Sequence, residues 1–142
     1  MASTLADDDA RVPQLTDSDP VARARAEVAA GAALAKKGTD VVILEVGEIL
    51  GIIELFVIAS ATNVRQVKTI VDEVEKAVKE SDGGKPRSVE GLGDASWVLM
   101  DYGDIVVHVF LDETRAFYDL DRLWADVPRT VLDDVPEAQP AT

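Results

Sequence analysis

The sequence has no cysteine, a single histidine (His108) and few aromatic residues, 5% of the chain. Without cysteine there can be no disulfide, thiol nucleophile or thiolate metal ligand, which fits a reducing compartment. A lone imidazole excludes any two-histidine metal site. Positive charge is scarce: 14 Lys and Arg stand against 27 Asp and Glu, a formal net charge of -13 over 142 residues. Such a field repels phosphate backbones and anionic lipid, so nucleic-acid and membrane binding are disfavoured and a basic protein partner is favoured. Long apolar runs are also missing. The longest, such as Val41–Leu44 and Leu55–Ala59, fall far short of the ~18 residues that cross a bilayer. Asp7, Asp8 and Asp9 do not suit a secretory leader. A soluble, cytoplasmic protein is expected.

What is present suffices for one core: hydrophobic residues make up 47% of the chain, and the length suits one domain. Acidity concentrates at the ends. Residues 1–20 carry five acids and one base, and residues 126–142 four acids and one base, with Pro13, Pro20, Pro128, Pro136 and Pro140 among them. Neither end has a long apolar period, so flexible acidic tails are expected over 1–18 and 127–142, flanking a domain over 19–126.

Within that domain, Asp19-Pro20 reads as a helix start. An alanine-rich stripe of Val21, Ala24, Val28, Ala32 and Ala35 follows, and Gly38 suits a left-handed cap. Val41–Val46 and Leu55–Ser60 are nearly continuous apolar runs, as in strands buried on both faces. Val64, Val67, Val71, Val74 and Val78 form the clearest helical stripe, with Asn63 and Gln66 placed for a capping box. After a short extended piece at Arg87–Glu90, Trp97–Asp101 and Ile105–Phe110 read as strands joined by a tight turn at Tyr102-Gly103. Asp112 and Asp119 begin short helical segments. The order α-β-β-α-β-β-β-α predicts a single α/β domain, a mixed sheet flanked by helices.

No constellation compels catalysis. Gly91-Leu92-Gly93-Asp94 lacks the lysine and Ser/Thr of a phosphate loop and precedes a strand, so it reads as a connector. Asp101 and Asp104 flank a turn and could hold Mg²⁺ for nucleotidyl or phosphoryl transfer, but no third acid joins them, and turn aspartates commonly bond their own backbone. His108 lies in a β-branched strand with no serine in a nucleophile setting nearby, and reads as a buried or interface histidine. Arg65, Gln66 and Lys68 read as a solvated helix start rather than a phosphate site. Trp97 is either an interface anchor, together with Tyr102, or the largest core residue, and the residues alone leave that balance near even.

The stretch from Trp97 to Phe110, WVLMDYGDIVVHVF, resembles the signature hairpin of the ribosomal silencing factor (Iojap) family. Asp40–Val46, Phe56–Ala59, Arg65-Gln66-Val67 and Phe117–Trp124 resemble family motifs in the same order, together spanning about residues 21 to 126. Glu54-Leu55 and Ser60-Ala61 depart from the family pattern around its second strand and leave the hairpin untouched. The resemblance implies a nucleotidyltransferase-like α/β fold without catalytic acids, no enzymatic activity and no cofactor. It implies a translational repressor that binds the large ribosomal subunit through ribosomal protein fourteen, blocks joining of the small subunit under nutrient limitation, and forms a homodimer. Carried over on matching positions, Trp97 and Tyr102 are the expected partner-facing anchors, and Asp101 and Asp104 the acids that meet a basic ribosomal protein.

Overall fold

The structure, a computed structural model, describes residues 19–132. Most of the expected tails, 1–18 and 133–142, lies outside the described residues. Asp19 Oδ1 accepts the Val21 amide at 2.9 Å, and Pro20 opens α1 (Pro20–Ala35). The buried face of α1 is Ala22, Ala26, Ala29, Ala30, Ala32 and Ala33, whereas Val21 is 61% exposed. Of the expected stripe Ala32 is buried and Val28 packs partly on the core, whereas Val21, Ala24 and Ala35 face outward, so most of it is out of phase. With alanine on every side the sequence marks no sharp apolar face, and packing selects the one whose side chains are all single methyls. Lys37, with φ 71°, takes the left-handed conformation expected of Gly38.

The remaining elements are β1 (Thr39–Glu45), α2 (Gly47–Leu50), β2 (Leu55–Ala61), α3 (Val64–Asp82), β3 (Ser88–Glu90), β4 (Trp97–Asp101), β5 (Ile105–Leu111), α4 (Asp112–Tyr118), α5 (Leu120–Leu123) and β6 (Arg129–Leu132). The six strands form one sheet in the order β3-β4-β5-β2-β1-β6. β2 and β5 run parallel at its centre, with Leu55 opposite Ile105 and Ala61 opposite Leu111. The other neighbours are antiparallel. The α/β expectation of a mixed sheet flanked by helices holds. Strand β6 is a correction: Arg129–Leu132, expected in the C-terminal tail, pairs with β1 from Leu132 opposite Val41 to Arg129 opposite Leu44. Its residues are mostly exposed, as suits an edge strand, so no apolar period announced it.

Helix α3 follows its sequence closely. Asn63 Oδ1 accepts the Gln66 amide at 2.8 Å. Gln66 Oε1 takes the Thr62 amide, rather than that of Asn63, at 2.8 Å, and its Nε2 donates to the carbonyls of Lys36 and Lys37, stitching α3 to the end of α1. Val67, Ile70, Val71, Val74 and Val78 are buried, each worth about 1.5–3 kcal/mol of apolar transfer. Val64, the first residue of the expected stripe, is exposed.

Helices α1 and α3 cover one face of the sheet, over Val41, Ile43, Leu55, Val57, Val98, Met100, Ile105, Val107 and Val109. Alternation sends Val42, Leu44, Phe56, Ile58, Val106 and Phe110 to the other face, where Leu120, Trp124 and Val127 from the chain after β5 pack against them.

Candidate functional site

That second face is covered unevenly. Trp124 meets Phe56 edge-on with centroids 5.5 Å apart, so the α5 segment lies over the β2 side. On β4, by contrast, Trp97, Leu99 and Asp101 share the face and remain only half-buried. Beside them α4 presents Phe117 at 79% exposure and Tyr118 at 53%. Tyr118 lies 4.9 Å from Trp97 between ring centroids, and Phe117 stands edge-on to Tyr118 at 5.0 Å. The exposed rings thus continue into the core through Trp97, which stacks on Phe110 at 4.8 Å. An apolar strip with an acid at its end is suited to bury against a complementary protein surface.

Trp97 is held in place from below. Its Nε1 donates to His108 Nδ1 at 3.1 Å, which leaves the imidazole proton on Nε2, a buried atom without a partner among the described residues. Phe56 stands edge-on to the imidazole at 4.6 Å. Burial pushes the His108 pKa down to about 4, so the ring is neutral near pH 7. His108 supports the sheet and orients Trp97, in keeping with its reading as a buried or interface residue.

The four expected partner-facing residues do not form one patch. Trp97 and Asp101 lie on the open face. Tyr102 turns to the opposite side and is buried against the helix layer at 5% exposure. Its hydroxyl finds no partner among the described residues, and burial raises its pKa to about 12. An exposed anchor at Tyr102 is therefore corrected. Trp97 and Tyr102 are an odd number of residues apart, and strand alternation carried through the hairpin opposes them, a signal the sequence already held. Asp101 Oδ1 accepts the Gly103 amide at 2.8 Å. Asp104 Oδ1 accepts from Arg25 Nη1 at 2.9 Å. The two carboxylates are thus engaged separately, and among the described residues no three His, Asp or Glu side chains gather as a metal site requires.

The Gly91–Asp94 connector also has a structural account. Gly91 has φ 92°, and a Cβ there would run into the Trp97 carbonyl. Glycine lets the loop close on the start of β4, with the Ala95 amide donating to the Gly91 carbonyl at 2.7 Å.

Sequence reasoning missed Arg115. This buried guanidinium donates from Nη1 to the Asp40 carbonyl at 2.6 Å and to Ser60 Oγ at 2.8 Å. Its Nε and Nη2 meet Asp121 at 3.1 and 3.2 Å. It fastens α4 and the start of α5 to β1 and β2, and so fixes where Phe117, Tyr118 and Leu123 stand. A lone arginine in an acidic helix carries no local mark of this role.

The sequence profile described as "Ribosomal silencing factor during starvation" matches residues 19–142. The chain belongs to the ribosomal silencing factor family. A ribosomal silencing factor of Halalkalibacterium halodurans is 40% identical over 100 residues, which cover 70% of this chain and 85% of the relative. The mouse protein named "Mitochondrial assembly of ribosomal large subunit protein 1" is 32% identical over 90 residues, 60% of this chain and 38% of the mouse protein. A crystal structure from Chromobacterium violaceum superposes with a TM-score of 0.70 at 29% identity, covering 80% of this chain and 94% of that one. Family membership brings a ribosome-associated, regulatory role and agrees with the hairpin resemblance.

Proposed function

We propose that this chain represses translation by binding the large ribosomal subunit at ribosomal protein fourteen and sterically blocking the small subunit, without catalysing a reaction. Under nutrient limitation such a block lowers the fraction of joined ribosomes, and the cytoplasm is where it acts. The observation that carries the reading is the half-covered sheet face, where Trp97 and Leu99 continue into the exposed Tyr118 and Phe117. Asp101 at the end of that strip is the acid offered to a basic ribosomal protein, and Trp97 is the desolvated anchor. Tyr102 and Asp104 serve the same surface indirectly, by shaping the turn. A second copy of the chain would find the same strip attractive, which supports a homodimer in the absence of ribosomes.

The test is subunit reassociation with purified protein, read as the fraction of complete ribosomes. Wild type is expected to lower that fraction without turnover of any nucleotide. The double variant Phe117→Ser, Tyr118→Ser removes apolar area that the fold leaves exposed. It should fold normally and lose co-sedimentation with large subunits by at least about tenfold in affinity. Unchanged co-sedimentation of a folded double variant would remove this strip from the interface.

A further inference from the structure

Arg25 projects from α1 into the corner where the end of α3 and the turn between β4 and β5 meet. Its Nε donates to Asp82 Oδ2 at 2.9 Å and its Nη1 to Asp104 Oδ1 at 2.9 Å. Its guanidinium carbon lies 5.6 Å from the centroid of the Tyr102 ring, within cation–π range. The side chain is only 17% exposed. Asp82 is itself oriented, because its Oδ1 accepts the Gly84 amide at 2.7 Å. A Cβ on Gly84 would press on Arg25 Nη2 and Asp82 Oδ1, so glycine leaves the space that the guanidinium occupies. The hydrogen bond from Arg25, opposed by desolvation, holds the Asp82 carboxyl below its usual range.

We propose that Arg25 is a positioning residue for the partner-binding surface: it clamps the Tyr102–Asp104 turn to the helix layer and thereby fixes Asp101 and the end of β4. This rests on the reading that β4 faces the ribosomal partner. A planar fork can hold two carboxylates from different elements at once, which a lysine ammonium does not do with comparable geometry. The clamp also reaches the loop before β2, because the Asp104 carbonyl accepts the Glu54 amide at 2.8 Å. Without Arg25, Asp82 and Asp104 lose the cation they share, and the turn that aims Asp101 loses its tie to α1. Asp104 is then an internal counter-ion, and Asp101 alone is offered outward.

The experiment compares wild type with Arg25→Gln, Arg25→Lys, Asp82→Asn and the control Arg23→Gln. The control removes another ion pair of α1, Arg23 to Glu45 at 2.7 Å, which is not attached to the turn. Two readouts are taken at a temperature where every variant is fully folded: affinity for purified large subunits, and amide exchange at Gly103 and Glu54. Expected are about tenfold weaker binding and about tenfold faster exchange for Arg25→Gln. Asp82→Asn should shift both in the same direction although Asp82 lies outside the partner face, and Arg25→Lys should recover part of the loss. Arg23→Gln should change thermal stability only. If Arg25→Gln fails to fold, Asp82→Asn and Arg25→Lys carry the comparison, since each leaves one leg of the clamp. Unchanged affinity and exchange in the clamp variants overturn the proposal, as does an equal loss in Arg23→Gln. If wild type binds no large subunits, the proposed function falls while amide exchange still decides whether Arg25 holds the turn.

Discussion

The Tyr102 ring fills core volume between the sheet and the helix layer, while its hydroxyl is buried without a partner among the described residues. The two halves of this side chain therefore pull stability in opposite directions. Tyr102→Phe removes an unpaired polar group and should leave stability unchanged or raise it by up to about 1 kcal/mol. Tyr102→Ala opens a cavity and should cost about 3 to 5 kcal/mol. Urea unfolding of both variants checks this, and a Tyr102→Ala protein as stable as wild type would contradict the buried placement. His108 gives a second residue-scale test. Its pKa falls from 6.5 to about 4 on folding because burial disfavours the imidazolium. The unfolded chain then binds the extra proton between those values, so stability rises with pH across that window and is lost as pH falls from about 6.5 towards 4. The loss amounts to about 3 kcal/mol at most. His108→Gln should flatten the stability profile between pH 6.5 and 5, whereas an unchanged slope would assign it to other groups.

At the scale of elements, the patterns complete within one element are legible in the sequence, whereas those that depend on a neighbour, together with the cap at Lys37 and the short helix α2, are not. The cap at Asn63 and the valine spacing of α3 are contained within one helix, and the structure reproduces them but for the exposed Val64 and the choice of Thr62 as partner for Gln66. The β4–β5 hairpin was equally legible from its two apolar runs around Tyr102-Gly103. The phase of α1 was not, because only the sheet decides which alanines of an alanine-rich helix turn inward. Strand β6 was invisible for a related reason: four mostly exposed residues acquire order only by pairing with β1, where the Pro128 carbonyl also accepts the Glu45 amide at 2.9 Å. A chain truncated after Asp126 should therefore lose thermal stability by roughly 5 °C or more. Calorimetry of the truncated and full chains tests it, and equal midpoints would return residues 127–132 to the tail.

For the whole molecule, the imbalance of 14 bases against 27 acids sets the expected salt dependence of binding. An acidic surface meeting a basic protein associates faster at low ionic strength, and screening removes that advantage within a Debye length of about 8–10 Å at 0.10–0.15 M salt. Asp101→Asn should slow association with large subunits and reduce the dependence on salt, with dissociation changed less. Binding measured at several salt concentrations decides this, and an identical salt slope in the variant would remove Asp101 from the contact.

The sequence by itself determined the class of fold, the family and the charge of the surface, because helix period, strand runs, the hairpin motif and composition are properties of short stretches or of the whole chain summed. Only the tertiary structure decided which signature residues face outward. Trp97 and Asp101 share the open face, Tyr102 is buried on the other, and Asp104 is held by Arg25 from a helix 79 positions away in the chain. The physical reason is that exposure and ion pairing belong to pairs of surfaces. A carboxylate reads the same in sequence whether it awaits a partner or already holds one, and the packing of α1, α3 and the β4–β5 turn makes that choice.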